Sequence, residues 1–335
     1  MTNQNNIFMF WNSGINEASL LCQLNSLNFK NIAKENDWNF YLLSLNKQDK
    51  FYVENFIDLP KYFFEINKKI NDQKGIGGNQ SDIIRLRLLE KYGGVYFDAS
   101  TFLLKNKIEE IFLYKLFLKN KTDLSGYCNY TFTRKLPSGD NYFKYAQDGI
   151  ELGAIFAKRN SSLLCEFNYE IDQYWRWKTY AKKYLSYPPF VKYKLKPISF
   201  LNEYHIHYSI LHLILTRNKK LAKKITTQSI HVAGKEKSTR NGPYSITDKF
   251  CRGKNMYGSA NPDKMLSFFT DDCISDYCKD FNFHDRENFI NSMDLIIIPG
   301  YLRKKLEKKF DTKEKIFNNI LFKKIYKKMQ YDSIN

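Results

Sequence analysis

The run SDIIRLRLLEKYGGVYFDAS, residues 81–100, constrains the fold more than any other stretch. Asn79 or Ser81 can cap a helix that runs to Tyr92, and Gly93-Gly94 stop it. Val95-Tyr96-Phe97 then read as a short buried strand that ends at Asp98. A helix followed directly by an apolar strand ending on a carboxylate points to an α/β protein. In open α/β sheets, ligands collect at the carboxyl ends of the strands.

The rest of the chain agrees. Ile7–Trp11 (IFMFW) reads as a buried strand. Leu20, Leu21, Leu24 and Leu27 give a helical pattern over Glu17–Lys30, and Trp38–Leu45 reads as a second strand. This strand–helix–strand opening predicts a parallel sheet with crossover helices. Further helices are expected over Lys61–Ile70, Lys107–Leu118, Leu163–Tyr184 and Phe200–Leu215, and strands over Glu151–Ala157 and Ser229–Val232. Gly75–Asn79 (GIGGN) breaks the pattern and reads as a loop, with a phosphate cradle as the alternative. Beyond Gly242 the chain reads as irregular until basic helices begin after Tyr301. The expected division is therefore 1–241 and 242–335.

Composition excludes several classes. Apolar residues make up 43% of the 335 and aromatics 16%, which supports a core and argues against disorder. The longest apolar runs fall far short of the roughly 20 residues of a membrane-spanning helix. The first residues lack a basic-then-apolar leader pattern. The six Cys have no paired metal spacing and read as reduced thiols, so the expected location is cytoplasmic. The net charge of +18 implies anionic partners. Tyr301–Asn335 hold eleven Lys and Arg against four Asp and Glu. With the charge gathered at the tail and no nucleic-acid-binding motif, a nucleic acid is not the expected partner.

Asp82 and Arg85 lie about 60° apart on one helix face, with Leu86 and Leu89. Arg87, Glu90 and Lys91 point away. A charged pair on the apolar side is costly unless the charges meet each other or a ligand. It either ties helix to sheet or contacts something bound at the strand end, where Asp98 can hold a divalent metal against a diphosphate.

At this point a resemblance is explicit. The run at 81–100 is similar to the signature of the sugar-binding DXD glycosyltransferases, in particular the capsular-polysaccharide-synthesis proteins and glycosyltransferase family 32. The glucosyltransferase domains of the large clostridial toxins are more distant. Phe10-Trp11-Asn12-Ser13-Gly14 resembles their first strand and loop, and Cys22 and Ser26 sit where a Cys-x-x-x-Ser commonly follows. The match covers about residues 7–110 well. It implies a GT-A fold, a Rossmann-like nucleotide-binding sheet with flanking helices, here with a helical C-terminal extension. It implies a sugar-nucleotide donor, with UDP favoured, and Mn²⁺ or Mg²⁺. Asp98 matches the first Asp of DXD, and Ser100 stands where the second would be, one anionic ligand fewer. Asp82 and Arg85 match contacts to the ribose or donor sugar. Trp11 matches an aromatic that stacks on the base, an ordinary core Trp being the alternative.

Later segments add candidates. His231-Val-Ala-Gly234-Lys-Glu-Lys237 fits H-x-x-G-x-x-K, which in family 8 supplies a metal-ligating His and a diphosphate-binding Lys. An imidazole suits the missing ligand, and an exposed basic loop is the plain alternative. Asp148 and Glu151 are candidates to orient the acceptor hydroxyl or act as base. His205 and His207 read as structural or as lining an acceptor cleft, and Tyr174 to Tyr184 as an aromatic packing face. The basic tail from Arg303 to Lys328 could lie on an anionic membrane surface, a peripheral place on the inner face of the cytoplasmic membrane. The expected activity is transfer of a hexosyl-type residue, with retention, to a bacterial capsular or lipooligosaccharide glycan that could be lipid-linked. A non-catalytic sugar-nucleotide binder is the alternative that Ser100 raises.

Overall fold

The computed structural model describes residues 5–66, 76–129, 150–178, 186–195, 206–232, 254–257, 269, 293–298 and 300–326. In chain order the elements begin β1 (Asn6–Phe10), α1 (Leu20–Glu35), β2 (Asn39–Leu43), α2 (Ile76–Tyr92), β3 (Gly94–Phe97) and β4 (Thr101–Leu103). They continue with α3 (Phe112–Asn120), β5 (Leu124–Asn129), β6 (Ile150–Ala157), α4 (Ser162–Lys178), α5 (Pro188–Lys192), α6 (Ile206–Arg217) and α7 (Lys219–Ala222). The chain closes with β7 (Ile225–Val232), β8 (Lys254–Tyr257), β9 (Met293–Ile297), α8 (Gly300–Lys309), α9 (Lys313–Asn318) and α10 (Ile320–Ile325).

The strands form one sheet in the order β2-β1-β3-β6-β5-β7-β8-β9-β4. β6 runs antiparallel to β3 and β5, and β4 antiparallel to β9; the other neighbours are parallel. Seven strands therefore point the same way, and their carboxyl ends share one edge with the start of β6. Because β4 follows β3 after three residues, the far end of the sheet returns to the strand near which it began. Asp98 sits at that seam.

Strand alternation sorts the core into two layers. Ile7, Met9, Val95 and Phe97 pack with Cys22 and Phe29 of α1 and Leu113 and Phe117 of α3. Phe8, Phe10 and Tyr96 pack on the other side with Ile83, Leu86 and Leu89 of α2 and with residues of α4 and α6. Asp98 shares the parity of Tyr96, so it belongs to the α2 face. A third cluster joins Leu21 and Leu24 of α1 and Phe102 of β4 to Met293, Ile296, Leu302, Leu306, Phe310 and Phe322.

Several expectations are corrected. Within the stretch after 242 that reads as irregular, the described residues include two strands, β8 and β9, which pair with β7 and β4. Both strands are short, and KNMY of β8 has no apolar alternation to reveal it. Of the expected Gly75–Asn79 loop, Ile76–Asn79 belong to α2 and residue 75 lies outside the described residues; Gln80 Nε2 donates to the Phe63 carbonyl at 3.1 Å, a tertiary anchor that offsets the low helix propensity of glycine. Arg87 does not point to open water but pairs with Asp172 of α4 at 2.6 Å. The helix expected over Lys107–Leu118 breaks at Ile111, between a short 3₁₀ turn and α3. Of the expected Lys61–Ile70 helix, a 3₁₀ turn at Phe63–Glu65 is seen, and 67–70 lie outside the described residues.

Candidate functional site

α2 carries its charges to the strand end because Asp82 and Arg85 lie on the stripe that faces β3. Arg85 is 5% exposed, with its guanidinium 4.6 Å above the Tyr96 ring. Its Nε donates to the Ser81 carbonyl at 3.2 Å, and Nη2 to Ser81 Oγ. Tyr96 OH lies 3.1 Å from the same Ser81 Oγ. The guanidinium is thereby fixed before it meets either acid. Nη2 then reaches Asp98 Oδ1 at 2.9 Å and Asp82 Oδ1 at 3.5 Å. Asp82 Oδ2 lies 3.2 Å from Nδ1 of buried His207 on α6.

The other side of Asp98 is held by backbone. Its N–H donates to the Gly153 carbonyl at 2.8 Å, and its own carbonyl accepts from Thr101 N–H at 2.8 Å. Thr101 Oγ1 donates to Gly153 at 3.0 Å. Asn25 of α1, fully buried, donates through Nδ2 to the carbonyls of Ala99 and Thr101, both at 2.9 Å. A Cβ on Gly153 would stand 2.9 Å from Asp98 Oδ2, so the missing side chain makes room for the carboxylate. Asp98 keeps one-third of its side chain exposed. Withdrawal from water raises its carboxyl above the ordinary carboxylate range; Arg85 opposes this and Asp82 adds to it. Burial likewise raises the Tyr96 phenol.

Of the candidates read from sequence, Asp82, Arg85 and Asp98 come together in one network. Ser100 is half-buried in the same loop, and its carbonyl accepts from Ile298 N–H at 3.1 Å. Trp11 follows β1 at the same edge, half-buried, with the Arg303 guanidinium 4.7 Å above its ring. Glu151 lies near the start of β6, opposite Tyr127 and half-buried. His231 lies at the carboxyl end of β7, paired with Met256 of β8; its side chain is not among those described. Asp148 and Lys237 lie outside the described residues, as does His205. Sequence reasoning missed Asn25, Gly153 and Arg303. Asn25 stands one turn beyond Leu21 on an apolar helix, a signal that a buried amide was needed there. Among the described residues no group of three or more His, Cys, Asp or Glu gathers to enclose a metal ion. None of the described helices is long and apolar enough to cross a membrane.

The molecule is thus a mixed α/β protein, with helices on both faces of one sheet and an Arg-bridged pair of carboxylates where the strands end. The chain belongs to the capsular polysaccharide synthesis protein family, whose pattern matches residues 1–233. It is 28% identical over 117 residues to O-glycosyltransferase braB of Annulohypoxylon truncatum, covering 33% of this chain and 28% of that protein. It is 31% identical over 109 residues to the probable glycosyltransferase FCK3 of Fusarium pseudograminearum (strain CS3096), covering 32% of this chain and 27% of that protein. The chain thus spans little more than a quarter of the length of the curated relatives it matches. Among solved structures it is similar to a glycosyltransferase involved in the glycosylation of the major capsid of PBCV-1. That likeness has a TM-score of 0.40 and 8% identity, over 90% of this chain and 96% of the other.

Proposed function

We propose that the protein is a glycosyltransferase of the GT-A kind. It moves a hexosyl residue from a nucleotide sugar, UDP favoured, to a hydroxyl of a bacterial surface glycan of the capsular or lipooligosaccharide type. One observation carries the reading: Asp98 is held by Arg85 and by Gly153 with part of its carboxylate facing the edge where the strands end. Family membership and the names of the two curated relatives support it.

In this reading Asp98 faces the donor diphosphate, and Asp82 meets the ribose or donor sugar. Arg85 holds both acids in place. The bond from the anomeric carbon to the diphosphate oxygen breaks, and the acceptor oxygen bonds to that carbon with retention. The acceptor proton passes to Glu151 or Asp148, or to the departing diphosphate.

Mn²⁺ or Mg²⁺ fits the donor set, because such ions take one or two carboxylates and fill the remaining positions with phosphate oxygens and water. Asp98 and the Ser100 hydroxyl would hold it, with His231 as a third ligand, and it would neutralise charge on the leaving diphosphate.

A panel of nucleotide sugars with Mn²⁺, read by hydrolysis and by melting shift, tests the proposal. Metal-dependent turnover that is lost in Asp98→Ala is the expected result. Full activity in that variant rejects the assignment, and a melting shift with UDP and Mn²⁺ but no turnover favours a non-catalytic binder.

A further inference from the structure

Arg303 belongs to the C-terminal region, beyond the residues that match the family, yet it stands at the donor edge. β9 ends against the Asp98 loop: a Cβ on Gly153 would lie 3.5 Å from Ile297 Cγ2 as well as beside Asp98, and Ile298 is bonded to Ser100. α8 starts two residues later and places Arg303 in its first turn. The guanidinium lies 4.7 Å above the Trp11 ring, and its Nε is 3.2 Å from Glu307 Oε1. That carboxylate accepts from Ser19 Oγ at 2.6 Å, so the anchor is tied to the start of α1. Among the described residues no partner engages the two Nη groups, and the side chain is 23% exposed.

A structural role explains this arrangement poorly. Arginine is favoured in the last turn of a helix, where the dipole is negative; in the first turn it opposes the dipole, and no acidic residue stands in that turn of α8. A guanidinium stacked on an indole and ion-paired to one carboxylate, with no other partner among the described residues, has a planar fork that matches two oxygens of a phosphate group.

We infer that Arg303 grips the diphosphate of the nucleotide donor, with Trp11 and Glu307 orienting its guanidinium. The C-terminal region thus completes the donor site. This rests on the reading of that site as one for a nucleotide sugar.

Titration calorimetry of the full chain with UDP, GDP, uridine and guanosine, each with Mn²⁺, tests it. Arg303→Gln is expected to weaken diphosphate binding tenfold or more and leave nucleoside binding as it is. Arg303→Lys keeps the charge and loses the fork, and an intermediate loss is expected. Arg303→Gln with wild-type diphosphate affinity overturns the inference, as does an equal loss for nucleoside and diphosphate. If Arg303→Gln does not fold, Arg303→Lys decides, and wild-type affinity there overturns it. Wild-type protein that binds neither UDP nor GDP overturns the donor reading and this inference together. Wild-type binding that Arg303→Gln does not change overturns this inference alone.

Discussion

Arg85 lies under Asp82 and Asp98, so its removal leaves two carboxylates facing one another beside a buried phenol. Breaking a buried pair on one side costs about 3–5 kcal/mol, because the remaining charge has lost its compensation. Asp98 is one-third exposed, so the lower end of that range applies. Arg85→Ala is expected to lower stability by about 3 kcal/mol in urea unfolding, and adding Asp98→Asn should restore part of it. A double variant no more stable than Arg85→Ala would show that the two acids do not repel. Gly153→Ala makes a different test. The added methyl would come within 2.9 Å of Asp98 Oδ2, so the carboxylate must shift while the sheet hydrogen bonds remain. Turnover is expected to fall about tenfold or more, since small displacements of a positioned group are costly, with a small change in melting temperature. Unchanged turnover would mean that this oxygen has no part in the reaction.

At the scale of elements, α3 depends on a residue far away in sequence. Asp294 of β9 accepts from Phe112 N–H at 2.9 Å, and Lys105 Nζ lies 3.7 Å from its other oxygen. Burial raises the Asp294 carboxyl above its ordinary value despite these partners. A raised carboxyl is a source of stability only when protonated. That contribution is complete below the unfolded value of about 3.9 and is lost as pH rises through the folded value. Asp294→Asn keeps an acceptor for Phe112 and carries no charge. It is expected to melt at or above the wild type at pH 7, the difference closing towards pH 4. Asp294→Ala is expected to cost about 1 kcal/mol at pH 7 through the lost cap. A wild type that outlasts Asp294→Asn at pH 7 would reverse the sign. The same contact shows what the sequence could reveal. β1, β2 and β3 were legible as short apolar runs, α1 by its leucine spacing, and α2 from Ser81 onward by the Gly93-Gly94 stop. The Asp82–Arg85–Asp98 cluster was legible because helix spacing and a strand end placed the three together. The break at Ile111, the strand β8 and the covering of Trp11 by Arg303 were not. Each is decided by a partner dozens to hundreds of residues away, and no local spacing carries that.

For the whole molecule, the basic tail raises the question of a surface. Most apolar residues of its described part are already committed: Leu302, Leu306, Phe310, Ile316, Leu321, Phe322 and Ile325 are all nearly or fully buried against α1, β4 and β9, while Ile320 stands alone at 56% exposed. What faces outward includes Lys304, Lys305, Lys308, Lys309, Lys315 and Lys323. A helix that lies in a membrane interface needs a free apolar face as well as a basic one, and these helices offer the second with only the single exposed Ile320 toward the first. Any attachment to a bilayer by the folded chain would then be electrostatic, worth about 1 kcal/mol for each lysine close to an anionic surface and confined to a Debye length. Sedimentation with vesicles is expected to show binding to phosphatidylserine-containing bilayers at low salt and none to phosphatidylcholine alone. That binding should vanish at about 1 M salt, where the Debye length is about 3 Å. Salt-resistant binding, or binding to neutral vesicles, would mean that α8 to α10 leave the core to insert. Since α8 carries Arg303, donor affinity would then fall when vesicles are added. If the helices stay in place, nucleotide affinity in the presence of anionic vesicles should equal that in free solution.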